Sequence, residues 1–152
     1  NEWEATPYMD RPSEIAVDVI GIGAGVCSRL QELDLPARGI NVAESPALGG
    51  RYQRLRDELW FRCREWFEQR DCKMPDHEEL VNELAGVQFK ILSNGKFKAE
   101  SKDEMKKRGQ RSPDLSDALV LTFASQGLKA SGSVNHFAFT GELDYGESSW
   151  IV

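Results

Sequence analysis

Residues 14–26 read E-I-A-V-D-V-I-G-I-G-A-G-V. Ile15, Val17 and Val19 face one way in an extended chain, and Ala16, Asp18 and Ile20 the other. Apolar side chains on both faces predict a central, parallel strand over 14–20. The glycines that follow suit a sharp turn, and Val26, Leu30 and Leu33 then recur at helical spacing, predicting a helix to about Leu33. Residues 38–43, R-G-I-N-V-A, read as a second strand. Strand, helix, strand is a right-handed crossover unit, the signature of an α/β protein. Asp18 falls at the C-terminal end of the first strand, where open α/β sheets bind ligands.

A second stretch echoes the first. Residues 112–119 read S-P-D-L-S-D-A-L, with Ser112 predicted as N-cap and Pro113 at the first helical position. This helix is predicted to run to about Ser125, with Leu115, Ala118, Leu119, Thr122 and Phe123 inward. Asp114 in the first turn is accounted for by the helix dipole; Asp117 lies past that turn, on the edge of the apolar stripe. Asp18 and Asp117 are thus acids in apolar segments, where an ionised carboxylate is costly unless paired or bound to metal. Two such acids far apart in sequence suggest one Mg²⁺ or Mn²⁺ site, and paired ions of this kind clamp the attacking and leaving oxygens of a phosphodiester.

The composition agrees with one globular unit. The chain has 152 residues, 40% apolar and 29% charged, and lacks an apolar run of membrane-spanning length or a signal pattern at its start. An intracellular protein without a membrane partner is expected. Cys27, Cys63 and Cys72 share no C-x-x-C spacing and read as reduced, structural thiols; with only His77 and His136, a histidine-rich zinc site is not expected. The net charge is −6, but residues 96–111 hold seven Lys or Arg against three acids, and residues 51–70 hold six Arg against four acids. Either run could meet phosphate or form a solvated face of ion pairs.

Between the two acids, residues 1–13 read as an irregular arm and residues 52–69 as the longest helix, with Leu55, Leu59, Cys63, Trp66 and Phe67 on its apolar face and Trp60 at the border. Its aromatics read as core rather than as a base-stacking platform. Asp76 is expected to cap a short helix ending at Gly86, with Glu79 completing a loose capping box. Residues 87–92 and 96–99 alternate about Asn94-Gly95, a hairpin signal. Residues 102–108 form a short basic helix closed by Gly109. The reading gives a domain over 14–126 and a flexible or docked tail over 127–152.

The glycine loop supports a rival reading. V-I-G-I-G-A-G-V, with Glu44 after the next strand, resembles the start of a dinucleotide site. That pattern wants Gly or Ala where Val26 stands, so a tight strand-to-helix turn is favoured.

Taken together, I-A-V-D-V-I-G-I-G-A-G-V, N-V-A-E-S-P-A, L-R-D-E-L-W, K-M-P-D before E-L-V-N-E-L, and E-S-K-D-E-M-K-K-R-G-Q-R-S-P-D-L-S-D-A-L resemble the nuclease domain of the large terminase subunit, the DNA-packaging motor of tailed bacteriophages and prophages. The resemblance covers about residues 13–125. It implies a ribonuclease-H-like mixed sheet flanked by helices, and endonucleolytic cleavage of concatemeric double-stranded DNA by two divalent metals, Mg²⁺ or Mn²⁺, on three acids. By motif, Asp18 is similar to the second acid and Asp117 to the third, with Asp114 as alternative. Lys102, Lys106, Lys107, Arg108 and Arg111 would lie near DNA phosphates. The implied partners are double-stranded DNA, the terminase small subunit and the portal, in the host-cell cytoplasm. The family's first acid sits on an earlier strand, for which residues 1–13 are too few, and the Walker loop of the ATPase domain is absent. A nuclease domain lacking its opening strands is therefore expected, with weak metal binding, slow or absent cleavage, and a sheet edge open to pairing between chains. Asp10, Glu44 and Glu100 are further acids that could substitute. The alternatives are a non-catalytic module binding DNA or packaging partners and a dinucleotide-binding fragment using Gly21–Gly25.

Overall fold

The computed structural model describes residues 2–124; the tail expected over 127–152, and the predicted helix end at Ser125, lie outside the described residues. The first strand, β1 (Ile15–Asp18), pairs in parallel with β2 (Ala37–Ile40), with Ile15 opposite Ala37 and Asp18 opposite Ile40. Helix α2 (Gly23–Glu32) makes the crossover between them, as the sequence predicts. It is the second helix because residues expected to be irregular form a one-turn helix, α1 (Glu2–Ala5), and a 3-10 turn (Tyr8–Asp10). Arg11 gathers this arm by donating to the Thr6 and Glu4 carbonyls and stacking over Trp3.

The glycines explain why α2 sits where it does. Gly21 takes φ +67°, a left-handed turn open to glycine at no steric cost. A Cβ on Gly23 would fall 1.6 Å from the Asp18 carbonyl oxygen, so only glycine lets the helix start against the strand end. Gly39 in β2 likewise leaves room for Val19 and Cys27. Cys27 is the buried residue of α2. The predicted stripe is therefore turned outward: Val26 is 47% and Leu33 53% exposed, because the helix nestles on its small residues rather than on its large ones. Nor is β1 central, since β2 is its sole strand partner among the described residues.

The opposite face of the sheet carries the core. Helix α3 (Leu55–Glu68) and helix α6 (Asp114–Thr122) bring Leu59, Trp60, Cys63, Val120, Leu121 and Phe123 against Ile40 and Ala99. The aromatics of α3 are core, as expected. Helix α3 starts later than predicted because Arg54 is extended and Tyr52, 1% exposed, bridges to Phe97 and packs its ring against Phe61. Helix α4 (Glu78–Gly86) is capped by His77, whose Nδ1 accepts from the Leu80 amide, and not by Asp76. Strands β3 (Phe89–Ile91) and β4 (Phe97–Ala99) form the expected antiparallel hairpin, turned by Gly95 at φ +78° with the Asn94 side chain accepting from the Lys96 amide.

Helix α5 (Lys102–Lys107) starts in a Ser101–Glu104 capping box and stops before Gly109 at φ +74°. Helix α6 starts one residue later than predicted, with Pro113 rather than Ser112 at the cap. The free amide of Ser116 is instead met at 2.8 Å by the Glu83 carboxylate of α4. Its buried face is also rotated: Ser116, Val120, Leu121 and Phe123 point inward, while Leu115 is 41% exposed and Ala118 is exposed. That rotation follows from the partner, since α4 and α3 take the side on which Ser116 and Val120 stand, and it turns Asp117 toward the end of β1.

Candidate active site

One cleft of about 470 Å³ opens where the C-terminal end of β1 meets the starts of α3, α5 and α6. Asp18, Asp114 and Asp117 all line it, together with Arg54, Arg56, Lys98 and Lys102. The two acids singled out in the sequence thus share a cavity, and the alternative Asp114 shares it with them. The argument from burial does not hold for Asp18, which is exposed; its place at the strand end is what matters. There its Oδ1 accepts from the Ile20 amide at 3.0 Å, which fixes the carboxylate as the chain turns into the glycine loop.

Asp117 is partly buried and held by two cations. Its Oδ1 lies 3.3 Å from the Arg56 guanidinium and its Oδ2 3.0 Å from Lys102 Nζ. Lys102 also reaches Asp114 Oδ1 at 3.2 Å, so two carboxylates converge on a single ammonium. Burial alone would pull the Lys102 pKa down; its bonds to Asp117 and then Asp114 outweigh that and leave it raised. The convergence places two carboxylates around one cation, the Lys102 ammonium. Oxygen donors suit Mg²⁺ or Mn²⁺. Among the described residues, however, no group of three or more His, Cys, Asp or Glu side chains is arranged to enclose a metal.

Arg56 is anchored on its other side. It donates to the Glu100 carbonyl at 2.9 Å and lies over the Trp60 ring, so Asp117 is oriented by a side chain that is itself fixed. Asp57, 3% exposed, is a fourth acid on the cleft wall. Burial raises its pKa, opposed by the amides of Ala99 and Arg54, each donating to it at 2.9 Å. It joins the start of α3 to β4, each of its oxygens accepting one backbone amide. Sequence reading did not single out Arg54, Arg56, Asp57 or Lys98, although the arginines lie in the Arg-rich run of residues 51–70 and Lys98 in the basic run of residues 96–111.

The basic residues of α5 divide. Lys106, Lys107 and Arg111 are exposed, without an ion pair among the described residues. Arg108 is held against Glu100, Nε to Oε1 at 2.7 Å, and donates to the Gly86 carbonyl, which ties α5 to the end of α4. The same bond holds the Glu100 carboxyl below its usual range. Glu100, Glu44 and Asp10 do not line the cleft. The glycine loop behaves as a turn: the Glu44 carbonyl accepts from the Leu55 amide, and Gly23 is filled by contact with Asp18.

Comparison with known proteins decides the fold. No family model and no curated protein matches the chain. Among solved structures, a lysine-to-alanine variant of the nuclease domain of the large terminase subunit gp2 of bacterial virus Sf6, with manganese, superposes with a TM-score of 0.62 over 74% of this chain, at 24% identity. The fold is that of a terminase nuclease domain. The unmutated Sf6 domain matches at TM-score 0.61 and 24% identity over 74% of this chain, and the variant with manganese and β-thujaplicinol at 0.61 and 23% over 74%. The chain spans 66%, 65% and 65% of those three chains. The terminase-nuclease architecture is ribonuclease-H-like, as the sequence resemblance implied; here it supplies the crossover β1–α2–β2 and the helices that close the cleft.

Proposed function

We propose that this chain is a nuclease unit of a DNA-packaging terminase large subunit, hydrolysing phosphodiesters of concatemeric double-stranded DNA with divalent metal. The observation that carries the reading is the shared cleft: Asp18 from β1 and Asp117 from α6, distant in sequence, line one cavity together with four cationic side chains. The terminase fold supports it, and the similar Sf6 domains were solved with manganese and with calcium.

Asp18 and Asp117 would hold Mg²⁺ or Mn²⁺, with Asp114 the alternative ligand beside Asp117. When bound, the metal supplies an activated water and charge stabilisation at the phosphorus. The protein's own part is positional. Arg56 keeps the Asp117 carboxylate aimed into the cleft, Lys102 neutralises the Asp114–Asp117 pair, and Lys106, Lys107 and Arg111 would offer charge to the flanking DNA backbone. Arg108 contributes by holding α5 in place rather than by contacting phosphate. The small subunit and portal as partners, and the cytoplasm of a bacterial host as location, follow from the same reading; among the described residues no helix is long and apolar enough to cross a membrane.

A second reading, a module that binds DNA without cutting it, is favoured by one observation: Asp117 is engaged by two cations, and no three potential ligands gather around a metal position among the described residues. Supercoiled plasmid incubated with Mn²⁺ separates the two. Nicking that disappears in Asp117→Asn supports the nuclease; gel retardation with no nicking supports the binding module.

A further inference from the structure

The four cations of the cleft are not equivalent. Arg56 is fully used by Asp117, the Glu100 carbonyl and the Trp60 ring. Lys102 is used by Asp114 and Asp117. Arg54 is exposed, and its side chain has no ion pair among the described residues. Lys98 reaches Glu104 Oε2 only at 3.7 Å, beyond hydrogen-bond length, while that same oxygen already accepts from the Ser101 amide at 2.9 Å and hydroxyl at 2.8 Å. Arg54 is therefore left without an ion pair in the shared cleft, and Lys98 is held only by a long ion pair with Glu104 that a ligand can displace.

Their backbones are fixed by one group. The buried Asp57 carboxylate accepts from the amide of Arg54 through Oδ2 and from the amide of Ala99, next to Lys98, through Oδ1. A single carboxylate thus ties the N-cap of α3 to β4, anchoring the backbone from which both cationic side chains reach the cleft. Such pre-organisation lowers the entropic cost of gripping an extended anion.

We propose that Arg54 and Lys98 form a phosphate-binding subsite that holds the backbone of double-stranded DNA in the cleft beside Asp18 and Asp117, with Asp57 as the residue that positions it. The inference rests on the nuclease reading and goes beyond it, because the sequence resemblance places DNA contacts on Lys102 to Arg111 instead. Adjacent phosphates on one strand suit a pair of spaced cations, and side chains from a helix cap and a strand can follow the backbone without reading bases.

The test is fluorescence anisotropy of a labelled duplex in EDTA, over a salt series, so that metal plays no part. The double variant Arg54→Gln/Lys98→Gln is expected to bind at least about tenfold more weakly at low salt, with the log–log salt slope reduced by about two. The charge-conserving Arg54→Lys/Lys98→Arg is expected to keep the wild-type slope. Unchanged affinity and slope in the glutamine variant would overturn the subsite while leaving the nuclease reading intact, since wild type would still bind DNA. A loss equal in both double variants would also overturn it, as the effect would then be one of folding. No duplex binding by the wild type would remove both, and a retained Mn²⁺ thermal shift in the glutamine variant shows that the metal position is untouched.

Discussion

At the scale of single residues, charge and burial make predictions that do not depend on catalysis. Lys90, then the Ser101 amide and hydroxyl, hold the Glu104 carboxyl down to about 2, and Arg108 holds Glu100 below its ordinary range. A carboxylate with a depressed folded pKa contributes stability that is complete above its unfolded value. That contribution is lost as the pH falls through the folded value. Thermal melts are therefore expected to decline from about pH 4.5 toward pH 2, and Glu104→Gln to flatten part of that slope. A Glu104→Gln protein whose acid melting curve parallels wild type would refute this assignment. Burial pushes the Cys63 thiol up to about 12, and Cys27 is buried as well, whereas Cys72 is partly exposed. Native labelling with a maleimide at pH 7.5 is expected to modify Cys72 first and Cys63 only after unfolding, as peptide mass mapping would show. Asp18, Asp114 and Asp117 were legible in sequence because strand ends and helix starts are recognisable. Arg56 and Asp57 were not, because their roles come from partners at Glu100, Asp117 and Ala99, which only the folded chain brings near.

At the scale of elements, local signals told most where they were self-contained. Asn94-Gly95 announced its hairpin, and the glycine loop its strand-to-helix turn, because turn chemistry is written in adjacent residues. The ends and faces of helices were less legible where a distant group intervenes. Glu83 of α4 caps α6 in place of Ser112, and Gly39 of β2 lets α2 approach on Cys27 instead of on Val26 and Leu33. Gly23→Ala is expected to be severely destabilising, by roughly 3 kcal/mol or more, because its Cβ would meet backbone at 1.6 Å and the start of α2 would have to move. Urea denaturation checks this; Gly25→Ala, with nothing within 4 Å of its Cβ, is the control expected to fold normally. Equal midpoints for the two variants would contradict the packing described.

At the scale of the whole molecule, β1 carries an edge with no strand partner among the described residues, and the outer face of α2 leaves Ile22 89% exposed beside Val26 and Leu33. Unpaired backbone groups on a strand with apolar neighbours favour addition of another strand. Concentration-dependent association is the expected outcome in sedimentation velocity, and a monomer at every concentration would count against an open edge. The resemblance of ordered motifs indicated the fold more firmly than any single motif, since their spacing encodes the path from β1 to α6.

The cleft itself is tested most directly by a thermal melt with and without millimolar Mn²⁺, on wild type and Asp18→Asn. Ligand that binds the folded state raises its melting temperature by mass action. The account predicts a rise in wild type that Asp18→Asn abolishes. A wild type that does not shift, or a mutant that shifts as far as wild type, would contradict the metal site at Asp18 and Asp117.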